Sequence, residues 1–192
     1  MKSICIFCGA GKARNPVYND RARELGNLIA ERNIKLVYGG ASVGLMGTVA
    51  DGVLEKGGEV YGILPDFLFK KEVGHTGIQK LEIVDSMHIR KQKMYESSDA
   101  FIILPGGIGT LDEFFEVFTW SQLELHNKPI GLYNINNYFN KLLNFISETI
   151  AEGFFSEDIL KKLNISTHGE ELLDTLTDLS EKTSRLDRGD KL

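Results

Sequence analysis

Three glycines and a carboxylate stand together in the stretch Leu104-Pro105-Gly106-Gly107-Ile108-Gly109-Thr110-Leu111-Asp112-Glu113. An apolar run, Ala100 to Leu104, precedes the glycines and reads as a buried strand, and an amphipathic pattern, Leu111 to Leu125, follows and reads as a helix. Glycines between a strand and a helix let the backbone approach a ligand and turn its N–H groups outward. With the positive end of a helix behind them, those N–H groups suit an anion such as phosphate. Glu113 then sits one turn into the helix, beside the anion. A phosphate cradle next to a carboxylate points to chemistry on a phosphorylated small molecule. A second reading stays open here: Thr110-x-x-Glu113 also has the spacing of a capping box, in which both side chains serve the helix's own first N–H groups.

The loop is neither of the two common nucleotide fingerprints. A G-x-G-x-x-G run starting at Gly107 would need glycine where Asp112 stands. Gly39 to Gly44 has P-loop spacing, but Leu45 replaces the lysine that would meet a triphosphate.

Short apolar runs alternate with helical patterns along the whole chain. Strands are expected at Ser3–Phe7, Lys35–Tyr38, Glu59–Leu64, Leu81–Val84, Ala100–Leu104 and Pro129–Leu132. Helices are expected at Pro16–Arg32, Leu45–Lys56, His88–Ser97, Leu111–Leu125, Tyr138–Ala151 and Glu170–Leu179. Continuous apolar strands alternating with helices argue an α/β fold: a Rossmann-like, doubly wound parallel sheet with helices on both faces. One nucleotide-binding domain is expected over residues 1–180, with a charged, flexible tail over 181–192. In such a sheet, ligands bind outside the carboxyl ends of the strands, where strand order reverses. Three strand ends lead into glycine-rich loops: Cys8-Gly9-Ala10-Gly11-Lys12, Gly39 to Gly47, and Gly106 to Thr110. Convergence of all three on one rim argues for a nucleotide-sized site more strongly than any one of them alone.

A length of 192 residues suits one domain with a full core, and 42% hydrophobic with 26% charged residues is a soluble balance. The net charge of -5 argues against a nucleic-acid polymer as partner. Cys5 and Cys8, three apart across a strand end, should point to opposite faces as buried structural thiols. Two cysteines with scattered histidines do not make a metal site, so neither metal nor cofactor is expected. No leader and no run of membrane-spanning length is seen, which points to a cytoplasmic protein without a membrane partner.

These loops, read with Met87-His88-Ile89-Arg90-Lys91, resemble the Lonely Guy (LOG) family of nucleotide phosphoribohydrolases. The family pattern Pro-Gly-Gly-x-Gly-Thr-x-x-Glu falls at Pro105 through Glu113, and Val-Tyr-Gly-Gly-x-x-x-Gly-Leu-Met-Gly falls at Val37 through Gly47. The resemblance runs from Ile4 to about Phe155. It implies hydrolysis of the N-glycosidic bond of a purine nucleoside 5′-monophosphate, bearing adenine or an N6-substituted adenine (a cytokinin), to free base and ribose 5-phosphate. It also implies a homodimer with sites near the subunit interface. Departures are Ile108, where an aromatic residue is common, Asp112 in place of glutamate, and Ala41 in place of a third glycine. Family members are often labelled lysine decarboxylases, a label that predicts a pyridoxal phosphate lysine for which the sequence offers no support.

Carried over by motif, the resemblance makes Glu113 and Arg90 the catalytic pair. It gives substrate contacts to Glu72, Arg90, Lys91, Thr119 and the run Gly107, Ile108, Gly109, Thr110, Leu111, Asp112 and Glu113. The chemistry is coherent: departure of the base builds oxocarbenium-like charge on the ribose, which a carboxylate can stabilise or relieve by activating water. Thr119 lies six residues beyond Glu113, about 120° away around the helix; the dimer that the resemblance implies would let it serve a neighbouring subunit's site. His88 reads as a helix-start residue outside the chemistry, and Phe114, Phe115, Phe118 and Trp120 as core or subunit contacts. A sensor that binds nucleotide without cleaving it is the competing reading; it would need the cradle but not the Arg90–Glu113 pair.

Overall fold

A computed structural model describes residues 1–70, 74–154 and 156–187. Seven strands form one all-parallel sheet: β1 Ser3–Phe7, β2 Lys35–Tyr38, β3 Val60–Pro65, β4 Lys80–Val84, β5 Ala100–Ile103, β6 Ile130–Tyr133 and β7 Leu163–Ser166. Their order is β4-β3-β2-β1-β5-β6-β7. The chain winds outward from β1 to β4, then returns to lay β5 on the other side of β1. The order therefore reverses between β1 and β5, and their carboxyl ends frame the crevice where such sheets bind ligands. This is the expected doubly wound Rossmann-like architecture.

Helices α1 Val17–Glu31, α2 Gly44–Glu55, α3 Asp66–Phe69, α4 Met87–Glu96, α5 Ile108–Gln122, α6 Asn140–Ala151 and α7 Gly169–Asp187 complete the fold. Alternate residues of each central strand feed two cores. On one face Ile4, Ile6 and Ile102 pack with Leu25 and Ile29 of α1, Val49 and Val53 of α2 and Leu172 of α7. On the other, Cys5, Phe7 and Phe101 pack with Met94 of α4 and Phe114 and Phe118 of α5. Burial on both faces is why the central strands read as unbroken apolar runs. The same alternation sends the two free cysteines apart: Cys8 belongs to the first core and Cys5 to the second, as expected.

Several boundaries move for identifiable reasons. Strand β6 begins at Ile130 rather than Pro129; proline has no N–H to give the ladder, though its carbonyl accepts from Phe101 N–H at 3.0 Å. Helix α5 starts at Ile108, three residues before the expected Leu111, and ends at Gln122 rather than Leu125. Its end is a Schellman turn: Leu125 N–H donates to Trp120 O at 2.9 Å across Glu124, whose φ is +57°. Strand β7 was not expected, because Leu-Asn-Ile-Ser is short and half polar, as suits a sheet edge. Helix α7 runs on to Asp187, so the first residues of the expected tail are helical. Among the described residues, no helix is long and apolar enough to cross a membrane.

Candidate active site

The three glycine loops meet at the reversal point and are tied by backbone bonds. Gly9 N–H donates to Pro105 O at 3.1 Å, and Leu45 N–H donates to Gly9 O at 2.9 Å. Contact is so close that a Cβ on Gly106 would strike Thr110 and the Gly9 backbone, and one on Gly44 would strike Ala10; Gly44 also takes φ +61°. Gly107 and Gly109 differ: a Cβ there would meet only open space. Some of these glycines close the loops on one another, and others leave room above them.

That room is a cavity of about 410 Å³, of the size that takes small ligands. Gly107, Gly109 and Thr110 at the start of α5 line one part, together with Arg90 and Glu113; Met46, Met87 and Leu68 give it an apolar wall. Gly107 caps α5, and Leu111 N–H closes the first turn on Gly107 O at 3.1 Å. The N–H groups of Ile108, Gly109 and Thr110 therefore have no partner within the helix and are available to an anion. The earlier helix start also decides between the two readings of Thr110. It lies inside the first turn rather than at the cap, so Thr110 and Glu113 form no capping box.

Arg90 and Glu113 come together from α4 and α5. Both are nearly inaccessible, at 5% and 4% exposure, and an Arg90 terminal nitrogen lies 3.4 Å from Glu113 Oε1. The other terminal nitrogen reaches Met87 Sδ at 3.7 Å, while the buried Arg90 Nε has no partner. A buried donor without an acceptor is costly in a finished protein and reasonable in a site that awaits a ligand. Gly39 at the end of β2 makes this possible, since a Cβ there would fall on the guanidinium. Burial pushes the Glu113 carboxyl up from its ordinary 4.5 to about 7. The Arg90 charge opposes that push, Asp112 and Glu116 add to it, and Lys91 opposes it. Near neutrality Glu113 can therefore both take and give a proton. Cys8, on the cavity wall, is driven the other way from reactivity: burial and the Glu113 charge raise its thiol far above its ordinary value.

The remaining expected site residues divide. Ile108 is 83% exposed at the mouth of the α5 turn. Leu111 is partly buried beside the apolar core behind α5. Lys91 and Asp112 do not line the cavity; they pair with each other at 3.2 Å, and Lys91 also reaches Glu116 at 3.0 Å. Thr119 is exposed and away from the cavity, as its helical angle requires. Glu72 lies outside the described residues. His88 is exposed in the first turn of α4 and takes no part in the cavity. Phe114 and Phe118 stack at 5.2 Å within the core, and Trp120 meets Tyr95 edge-on at 5.2 Å. Leu68, also on the cavity wall, belongs to no motif of the sequence. Its only signal is position, just past the carboxyl end of β3, on the rim where all the loops of a parallel sheet gather.

The chain matches the family model described as "Possible lysine decarboxylase" over residues 46–176. It is 43% identical over 189 residues to the Arabidopsis thaliana cytokinin riboside 5′-monophosphate phosphoribohydrolase LOG7, which covers 96% of this chain and 87% of that protein. Identity to the cytokinin riboside 5′-monophosphate phosphoribohydrolase of Rhodococcoides fascians is 49% over 156 residues, covering 81% of this chain and 79% of that one. Among solved structures, the Moco carrier protein from Chlamydomonas reinhardtii superposes with a TM-score of 0.69 at 23% identity, over 95% of this chain and 99% of that chain. At that identity the likeness concerns the fold alone.

Proposed function

The chain belongs to the LOG family of cytokinin riboside 5′-monophosphate phosphoribohydrolases, and from that membership and the site's geometry we propose that it is an N-glycosidase. It hydrolyses an adenine or N6-substituted adenine nucleoside 5′-monophosphate to free base and ribose 5-phosphate. The observation that carries this reading is the buried Arg90–Glu113 pair on the wall of a cavity that also holds the amino end of α5.

The 5′-phosphate binds the free N–H groups of Ile108, Gly109 and Thr110, in the space that Gly107 and Gly109 leave open. The purine lies toward Met46, Met87 and Leu68. As the base departs, positive charge grows on the ribose ring, and the Glu113 carboxylate stabilises it and takes the proton of the attacking water. A residue holding that proton near pH 7 is matched to the task, because proton transfer is most effective when the group's pKa lies near the working pH. Arg90, on the cavity wall, offers its guanidinium to the ribose or the departing base. None of the described residues lining the cavity is a lysine, which leaves a decarboxylase proceeding through a lysine Schiff base without its anchor. Thr119 reaches substrate from a second copy of the chain in a homodimer. Ile89 on α4 and Phe115 and Leu123 at α5, all exposed and apolar, give such a contact its surface.

Base release from AMP and from N6-isopentenyladenosine monophosphate, with Glu113→Gln alongside, tests the reading. Release of base and ribose 5-phosphate that disappears in the variant is the expected result. Tight binding without release from either substrate would make the protein a nucleotide sensor.

A further inference from the structure

Lys91 follows Arg90 on α4, and its ammonium is already occupied. Its side chain is only 13% exposed and lies 3.2 Å from Asp112 Oδ2 and 3.0 Å from Glu116 Oε1. Asp112 and Glu116 are four residues apart on α5, so they share one stripe of that helix, while Glu113 stands about 100° round toward the cavity. Two adjacent residues of α4 thus grip two adjacent stripes of α5. Arg90 grips the one inside the cavity, and Lys91 grips the one behind it. Without Lys91 the two carboxylates would face each other as like charges at i and i+4, an unfavourable spacing.

We infer that Lys91 is a positioning residue: it clamps α4 to α5 through Asp112 and Glu116, setting the Arg90–Glu113 geometry and the charge around Glu113, and does not itself hold substrate. The inference rests on the hydrolase reading above and assigns the lysine a different part in it. The groups that act on Glu113 are Arg90 and Lys91 from α4 and Asp112 and Glu116 from its own helix; the buried thiols Cys5 and Cys8, of and beyond β1, are themselves raised by the Glu113 charge and stay neutral. Lys91 is the cation that offsets the two neighbouring carboxylates. Its own ammonium stays charged: burial works against it, but the hydrogen bonds to Glu116 and Asp112 outweigh burial and raise its pKa.

The test separates rate from binding and then reads pH. In Lys91→Met, kcat for base release should fall about ten- to a hundredfold, as a displacement of about 1 Å can cost that much, with KM within about twofold of wild type. The acid limb of the kcat/KM profile should move to higher pH, because the cation that favours ionised Glu113 is gone. The paired variant Asp112→Asn/Glu116→Gln keeps the lysine and should also lower kcat, but its acid limb should move to lower pH. Lys91→Met/Glu116→Gln should be no slower than Lys91→Met alone, since the lysine's loss already breaks the contact to Glu116. Should Lys91→Met not fold, the Asp112→Asn/Glu116→Gln limb decides the matter. A KM that rises in Lys91→Met with kcat intact, or an Asp112→Asn/Glu116→Gln profile that stays where it was, would overturn the inference. Absence of base release by the wild-type protein would remove the hydrolase reading itself, an outcome distinct from either.

Discussion

Arg90 and Lys91 are neighbours on α4, and each meets carboxylate on α5, yet the two pairings have different surroundings. Arg90 and Glu113 are at most 5% exposed as whole residues, whereas Asp112, on the outer pairing, has a side chain that is 56% exposed. Water supports the Asp112 charge, and the hydrogen bonds to Glu116 and Asp112 hold the Lys91 charge against its burial, so the outer pairing serves as a tie between helices. The inner pair has lost that support, and its acid is displaced to about 7. The difference teaches that one residue's step along a helix can separate attachment from chemistry, and that burial rather than residue type makes the separation.

The largest expected effect breaks the inner pair. Glu113→Gln keeps the shape of the side chain and removes its proton chemistry, so kcat should fall about 10²–10⁴-fold while nucleotide still binds. Steady-state base release together with calorimetric binding of AMP checks both halves; a variant that releases base at the wild-type rate would return Glu113 to the role of a buried structural acid.

The next effect is in stability. A carboxyl raised from 4.5 to about 7 in the folded state favours folding at low pH relative to high pH. Below about 4.5 both states are protonated and no stability is lost. Through the window up to about 7 the unfolded state releases its proton first, so the fold loses as much as about 3 kcal/mol. Urea melts of wild type and Glu113→Gln between pH 4 and pH 9 should show their difference shifting by that order in favour of the variant as pH rises. Equal slopes for the two proteins would mean that Glu113 titrates normally.

A smaller effect sharpens the comparison from the side of the backbone. Gly39→Ala places a methyl where the Arg90 guanidinium lies, and nothing comparable touches Lys91. We expect kcat/KM to fall about tenfold or more with the Lys91 pairings intact, since catalytic geometry is sensitive to displacements of about 1 Å. An unchanged kcat/KM would show that Arg90 has freedom to move aside.

Much of this was legible in the sequence, and the exceptions have physical causes. The alternation of buried strands with helices gave the sheet, because a strand covered on both faces must be apolar throughout. The meeting of Gly9, Gly44 and Gly106 was foreseeable from strand ends alone, as those ends share a rim. Arg90 and Glu113 are another matter: residues so far apart in sequence meet through the relative placement of α4 and α5, which no periodicity encodes, and the family resemblance supplied the pair. The α5 start was misplaced because Ile-Gly-Thr is a poor helix sequence that a capping glycine and the tightly joined loops nevertheless hold. Strand β7 escaped because an edge strand need be apolar on only one side. Gly39 reads as part of a glycine loop, but what it makes room for is the Arg90 side chain from another element.

The smallest effect lies in two glycines of one loop. At Gly106 a methyl would collide with Thr110 and the Gly9 backbone, so Gly106→Ala should destabilise the fold by about 1–3 kcal/mol through overpacking. At Gly109, inside the first turn of α5, the methyl meets nothing, and the backbone is not in the left-handed region. Alanine is the better helix former, so Gly109→Ala should leave stability unchanged or raise it by up to about 1 kcal/mol. Yet the space it fills is where the phosphate must approach the N–H groups, so KM for the nucleotide should rise several-fold, on the order of 1 kcal/mol of lost binding. A protein selected for stability alone would have no reason to keep glycine there. Melting temperatures and KM values for the two variants would therefore separate a glycine that closes the fold from one that reserves room for substrate. If Gly109→Ala bound nucleotide as the wild type does, the phosphate would have to lie elsewhere along the loop.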